Sequence, residues 1–226
     1  MGRFFLFAIL TWITGSPLLA IVILVALAVP SWFAGSRWAF RFSRKIRAWG
    51  EAGRLRRALA INPHDAKDRT DLGAILVRQR RFREARAELE QVLPRVDDLP
   101  EANYSLGLCL MNDGAAERGR ELVERALAIN PKFGYGEPFL RLGDFHGERS
   151  EWALAAERYR QATDIYGSSV EGWCKQGQAL IELGRRDEAR TALQEALASY
   201  RTAPWFRRSD DRPWKRRASR LLRSLG

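Results

Sequence analysis

The chain has 226 residues, 46% hydrophobic and 29% charged, enough for one domain or a stack of short repeats and unlike a disordered or collagen-like chain. Two cysteines outside any Cys-x-x-Cys pair and two histidines 82 positions apart exclude a disulfide scaffold and present no metal-ligand spacing. The formal charge of +11 is uneven: residues 1–65 hold nine Lys/Arg against two Asp/Glu, residues 66–203 hold 21 against 23, and residues 204–226 hold eight against two. A near-neutral body with two basic flanks argues against a nucleic-acid-binding fold with one basic face.

The first element is apolar. No charge lies between Arg3 and Arg37, and Phe4 to Val29 is broken only by Thr11, Thr14, Gly15, Ser16 and Pro17. A crossing helix needs about 20 apolar residues, and the run is too long for a signal peptide and lacks a clean small-x-small cleavage site. Residues 1–36 therefore read as a retained transmembrane anchor. Pro17 removes a helical hydrogen bond, so the anchor is either one kinked span or a short re-entrant helix followed by a main span. Basic residues crowd the far side of the run, which puts that side in the cytoplasm. Residues 37–49 form a basic linker in which Arg37, Arg41, Arg44, Lys45 and Arg47 are candidates for contact with anionic lipid.

A period of about 34 residues follows. Gly73, Gly107, Gly143 and Gly177 are spaced 34, 36 and 34 apart. Ala85, Gly119, Ala155 and Ala189 repeat that spacing, and Ala58, Val92, Ala126, Ala162 and Ala196 follow it at 34, 34, 36 and 34. Three series sharing one period and one two-residue insertion mean stacked supersecondary units. Small residues let one helix press on the next, while Leu89, Val123, Tyr159 and Leu193 fill the layers between.

The stretches NYSLGLCL, RALAINP and WCKQGQALIELGRRDEARTALQEALASY resemble the tetratricopeptide repeat (TPR) family. Trp173, Gly177, Leu180, Gly184, Ala189, Leu193 and Ala196 match its pattern in the last unit, and Phe139, Leu142, Gly143, Ala155, Tyr159 and Ala162 match it in the third. The resemblance implies an all-α superhelical solenoid of antiparallel helix pairs over 50–203, behind the N-terminal transmembrane segment. It divides into a half unit at 50–65 and full units at 66–99, 100–133, 136–169 and 170–203. Pro94 predicts a shortened second helix in the first full unit, and the insertion at 132–136 predicts a bend or protruding loop. After Tyr200, Pro204 and Pro213 break the chain. Pro213 to Leu225 then reads as a basic amphipathic helix over the end of 204–226, either capping the solenoid or contacting membrane or nucleic acid.

No catalytic signature occurs: there is no Gly-x-Ser-x-Gly, Walker loop or His-Glu-x-x-His. His64 and His146 read as structural, and Cys109 and Cys174 as free thiols on the reducing side of the membrane. The Asn103–Tyr104–Ser105 sequon falls inside a helix, so it is not taken as a glycosylation site. The protein therefore reads as a non-enzyme without a cofactor.

In the TPR family the first helices of successive units line a groove for a peptide or partner helix. The resemblance places Lys67 and Asp71 in that groove, with Tyr104, Leu108 and Met111, then Arg141 and Asp144, then Lys175 and Gln178. Chaperone-binding members grip a terminal carboxylate with two Lys, two Asn and an Arg. Those places here read Thr70, Ala74, Ser105, Glu137 and Arg141, so chaperone-tail recognition is not expected. The groove suits a partly apolar peptide or helix carrying some basic residues. The expectation is a bacterial inner-membrane scaffold with its repeats facing the cytoplasm, holding a protein partner in an envelope system. The competing reading is a lipid- or nucleic-acid-contacting protein that acts through its basic flanks, with lipid ahead of nucleic acid.

Overall fold

The computed structural model describes Thr11, Trp12, residues 15–18, Ile21 and residues 50–226. The chain divides into two compact units, 1–51 and 52–226. In the first unit Thr11 and Trp12 are helical. Gly15 takes a left-handed φ of +63° and donates to the Thr11 carbonyl at 3.0 Å, and helical backbone resumes at Pro17. Most of the apolar run 4–29 lies outside the described residues, as do Arg37, Arg41, Arg44, Lys45 and Arg47. Among the described residues no helix is long and apolar enough to cross a membrane.

The second unit is helical apart from its turns and short links. Its first helix, α1, is the part from 52 to 61 of a helical run that is described from residue 50. Four hairpins follow: α2 (Ala66–Arg78) with α3 (Phe82–Leu89), α4 (Pro100–Asn112) with α5 (Ala116–Ile129), α6 (Glu137–Glu148) with α7 (Trp152–Ile165), and α8 (Val170–Glu182) with α9 (Arg186–Thr202). Helix α10 (Arg208–Ser224) closes the chain.

Each hairpin turn has the same cause. The first helix ends on a residue in the left-handed region: Arg80 at φ +61°, Gly114 at +87°, Ser150 at +60° and Gly184 at +73°. The next residue then donates back across the turn, Arg81 to Leu76 at 2.9 Å, Ala115 to Leu110 at 3.0 Å, Glu151 to His146 at 3.0 Å and Arg185 to Leu180 at 2.9 Å. This is the Schellman closure, which satisfies carbonyls that the helix end leaves open. Glycine meets it without strain in two turns; Arg80 and Ser150 meet it against the preference of an L side chain.

Starts are set locally too. Asp65 accepts from the Asp68 N–H at 2.9 Å ahead of α2, and Ser169 from the Gly172 N–H at 3.0 Å ahead of α8. Pro100 opens α4, where its missing N–H costs nothing. Pro94 offers no N–H to the turn before it, and α3 stops at Leu89. The extended link that follows is held by buried Asn103, whose amide donates to the carbonyls of Asp97 and Leu99 at 2.8 and 3.0 Å. The 132–136 insertion forms a tight turn, Phe133–Gly136, in which Gly134, Tyr135 and Gly136 are all left-handed. Tyr135 projects from it 81% exposed, while Phe133 packs edge-on against Tyr104 at 5.6 Å.

The core runs through the stack. Leu72, Ile75, Leu76, Leu89, Val123, Leu142 and Leu193 are buried, each worth roughly 1.5–3 kcal/mol of transfer free energy. At the far end Ala218, with Trp214, Leu221, Leu222 and Leu225, packs on Val170, Cys174, Leu193 and Ala196. Pro213 does not break this last helix. It lies inside α10, which starts five residues earlier at Arg208. The exposed face of a terminal helix tolerates the missing bond because water reaches the freed carbonyl.

Candidate functional site

The first helices of three successive hairpins border a cleft of about 600 Å³. Its wall on the α2 side is Val77, Arg78, Arg80 and Phe82. Its middle is Leu108, Met111, Asn112 and Ala116. Its α6 side is Glu137, Arg141, Asp144, Phe145 and Glu148. The cleft thus passes from cations through an apolar middle to a mixed-charge wall.

Most charge on the α6 side is already satisfied. Arg141 pairs with Glu137 at 3.5 Å and with Asp144 at 3.1 Å. Lys175 pairs with Asp144 at 2.8 Å and with Glu171 at 2.6 Å. The Tyr159 hydroxyl donates to Asp144 Oδ1 at 2.9 Å. Burial and the Asp144 charge push the Tyr159 phenol far above its usual range, so it stays a donor. Burial disfavours the Arg141 cation, but Tyr104 and the carboxylates of Glu171, Asp144 and Glu137 together outweigh it. On the α2 side, Arg78 and Arg80 form no salt bridge with any described residue. Glu101, beside that wall, has a carboxyl held above its usual range by burial and by Asp71, against the pull of Arg78.

Repeat models describe parts of this framework. Tetratricopeptide repeat models match residues 70–132 and 170–203. The chain carries tetratricopeptide repeats. Several solved structures share the fold. One, a crystal structure of MamA, is 21% identical with a TM-score of 0.60, covering 70% of this chain and 92% of its own. A second MamA crystal structure is 20% identical with a TM-score of 0.59, over 71% of this chain and 87% of its own. YrrB, described as a TPR protein with an unusual peptide-binding site, is 17% identical with a TM-score of 0.56, over 76% of this chain and 90% of its own. No curated protein matches the sequence.

The TPR layout brings together four of the nine groove candidates. Leu108, Met111, Arg141 and Asp144 all line the cleft. Lys67 is exposed and Asp71 half-buried on α2, neither of them in the cleft wall. Tyr104 is only 8% exposed and packs with Val123, Ala126, Leu127 and Leu142, so it is part of the floor between layers. Burial pushes its phenol far above the usual range.

Lys175 and Gln178 are turned to another use. The Lys175 ammonium lies 5.0 Å from the Trp214 ring centre, and Gln178 Oε1 accepts from Arg217. Helix α10 takes the place that the first helix of a further unit would occupy, and its side chains engage these two residues. The mixed charge expected beside the apolar patch is largely paired internally: Glu137, Asp144 and Glu171 are held by Arg141 and Lys175.

Sequence reasoning missed Arg78, Arg80, Phe82, Phe145 and Glu148, since the family pattern was read on the middle turns of the first helices alone. The signal for Arg80 was present: it stands in the glycine series completed by Gly114 and Gly184, 34 and 104 residues later.

Among the described residues no group of His, Cys, Asp and Glu is placed to hold a metal ion. His146 is buried against Glu151, its Nδ1 at 2.6 Å from the carboxylate. His64 Nδ1 lies 2.7 Å from Arg95. Cys109 and Cys174 are unpaired and buried, and burial pushes each thiol up to about 11.

Proposed function

We propose that this protein is a membrane-anchored scaffold that holds a peptide or helix of a partner protein in the cleft bordered by α2, α4 and α6. The cleft carries the reading: an apolar middle at Leu108 and Met111, flanked by two cations, Arg78 and Arg80, that make no salt bridge among the described residues. Such a surface fits a segment that lays apolar side chains over Leu108 and Met111 and an acidic one over Arg78 and Arg80. The Arg141–Asp144 pair, braced by Lys175 and Tyr159, gives the other wall a fixed shape, so little side-chain ordering is left to oppose binding.

Location is proposed from the sequence. The apolar run 4–29 anchors the chain, and Arg37, Arg41, Arg44, Lys45 and Arg47 place the following side in the cytoplasm. The partner is then a protein reached from the cytoplasmic face of a bacterial inner membrane, in an assembly or regulatory role of an envelope system.

The test compares detergent-solubilised full-length protein with the Leu108→Asp, Met111→Asp variant. Both side chains are partly buried and lean on the Tyr104, Val123 and Leu142 cluster, so the variant's thermal melt is matched to the wild type's before partner recovery is compared, with Leu108→Ser, Met111→Ser used in its place should the aspartates unfold the hairpin. The proposal expects partners recovered with the wild type to be lost with the variant. Recovery of the same partners by both forms overturns it.

A further inference from the structure

A second surface lies at the opposite end of the stack from α1. The groove between α9 and α10, about 570 Å³, has an apolar wall of Leu197 and Tyr200 and a basic rim of Arg201, Arg208 and Lys215. Arg208 is held in place by donating to the carbonyls of Ala203 and Arg201 at 2.9 and 3.2 Å. The Lys215 ammonium stands 6.0 Å from the Tyr200 ring centre.

The groove continues into a basic face. At 100° per residue, Arg208, Arg212, Lys215, Arg216, Arg220 and Arg223 fall on one side of α10. Trp214, Ala218, Leu221, Leu222 and Leu225 fall on the side packed into the stack. Arg212, Arg216 and Arg220 are exposed and pair with no carboxylate among the described residues. The two acids of α10 lie off this face: Asp211 is buried near Arg207, and Asp210 is directed away by the helix period. Just before the helix, Trp205 and Phe206 meet edge-on at 5.9 Å while remaining 57% and 46% exposed.

We infer that this end of the protein binds the surface of an anionic phospholipid bilayer. Lipid phosphates sit against Arg201, Arg208 and Lys215, further headgroups against Arg212, Arg216 and Arg220, and Trp205 and Phe206 enter the headgroup layer. Unpaired cations beside exposed aromatic rings suit an interface that is both charged and apolar. A nucleic-acid backbone would satisfy the cations but leave the Leu197–Tyr200 wall and its apolar area unused. The apolar face of α10 is not the inserting surface, because the stack covers it. This inference is independent of the cleft.

Full-length protein held in phosphatidylcholine nanodiscs, which satisfy the N-terminal segment, is mixed with sucrose-loaded vesicles and centrifuged. With phosphatidylglycerol vesicles we expect at least about tenfold more protein in the pellet than with phosphatidylcholine vesicles. The Arg212→Glu, Arg216→Glu, Arg220→Glu variant loses that excess, and Trp205→Ser, Phe206→Ser reduces it severalfold. Arg212→Gln, Arg216→Gln, Arg220→Gln gives the same loss as the glutamates and serves in their place should they disturb the helix. Equal pelleting with the two lipids, an unchanged excess in the charge variants, or retention by a DNA duplex in preference to the anionic vesicles overturns the inference.

Discussion

Gly107 on α4 and Gly119 on α5 touch backbone to backbone. A Cβ on Gly107 would lie 2.8 Å from the Gly119 carbonyl oxygen, and one on Gly119 would lie 2.6 Å from the Gly107 carbonyl oxygen. Neither oxygen can swing away, because both belong to helices. Gly107→Ala should therefore destabilise the protein by about 1–3 kcal/mol, as overpacking does. Gly147 supplies the control, since its nearest neighbours are at ordinary contact distances of 3.5 and 3.6 Å. Gly147→Ala should be neutral or stabilising by up to about 1 kcal/mol through helix propensity. Urea unfolding of the two variants measures the contrast.

The turn residues give the opposite sign. Ser150 holds φ +60° where two sister turns have glycine. Relief of about 1–2 kcal/mol of left-handed strain, less about 0.4–1 kcal/mol for the freer unfolded chain, leaves Ser150→Gly more stable by roughly 0.5–1 kcal/mol. Arg80→Gly should stabilise similarly while removing a cation from the cleft wall. A gain in melting temperature with a loss of partner binding in that variant would separate the two roles of Arg80.

Glu101 sets a pH dependence. Burial and the nearby Asp71 raise its carboxyl pKa in the folded state. The folded form then holds a proton more readily than the unfolded form, so ionised Glu101 costs stability at neutral pH and the cost vanishes below the unfolded value of about 4.3. Glu101→Gln should melt higher than the wild type at pH 7, with the gap closing as the pH falls towards 4. Thermal melts across that range check the sign.

The two thiols report on the stack and its end separately. Cys109 and Cys174 are both fully buried, with pKa values pushed up to about 11, so neither should react with a disulfide reagent in native protein at pH 8. Both should react in guanidinium. Deleting 204–226 removes Trp214 and Ala218 from above Cys174. One thiol, Cys174, should then react while Cys109 stays protected, which also shows that the remaining repeats stay folded.

The hairpins were legible because their spacing is written twice, once in the glycines that admit a neighbouring helix and once in the alanines opposite. Gly107 and Gly119 occupy those two series, and they are the residues that touch. Pro94 announced the early end of α3, since a missing N–H acts within one turn. The cleft was legible only in part. Leu108, Met111, Arg141 and Asp144 follow from the layout that the TPR resemblance implies, whereas Lys175 and Gln178 depend on what packs beside them. Their partners, Trp214 and Arg217, are about 40 residues away in a helix with no repeat signature. Pro213 misled for a related reason: a proline weighs heavily in a local reading, yet it is accommodated on an exposed face of a helix anchored by Trp214 and Ala218.

The measurement that bears most directly on the account is site-specific photocrosslinking of the full-length protein in its membrane. A benzophenone side chain is placed at Met111 in the cleft or at Leu154, which is 52% exposed on α7 and outside the cleft. The cleft account predicts a discrete adduct from Met111 that disappears in the Leu108→Asp and Arg80→Gly backgrounds, with no adduct from Leu154. The same adduct from both positions, or one from Met111 indifferent to Leu108 and Arg80, would contradict it.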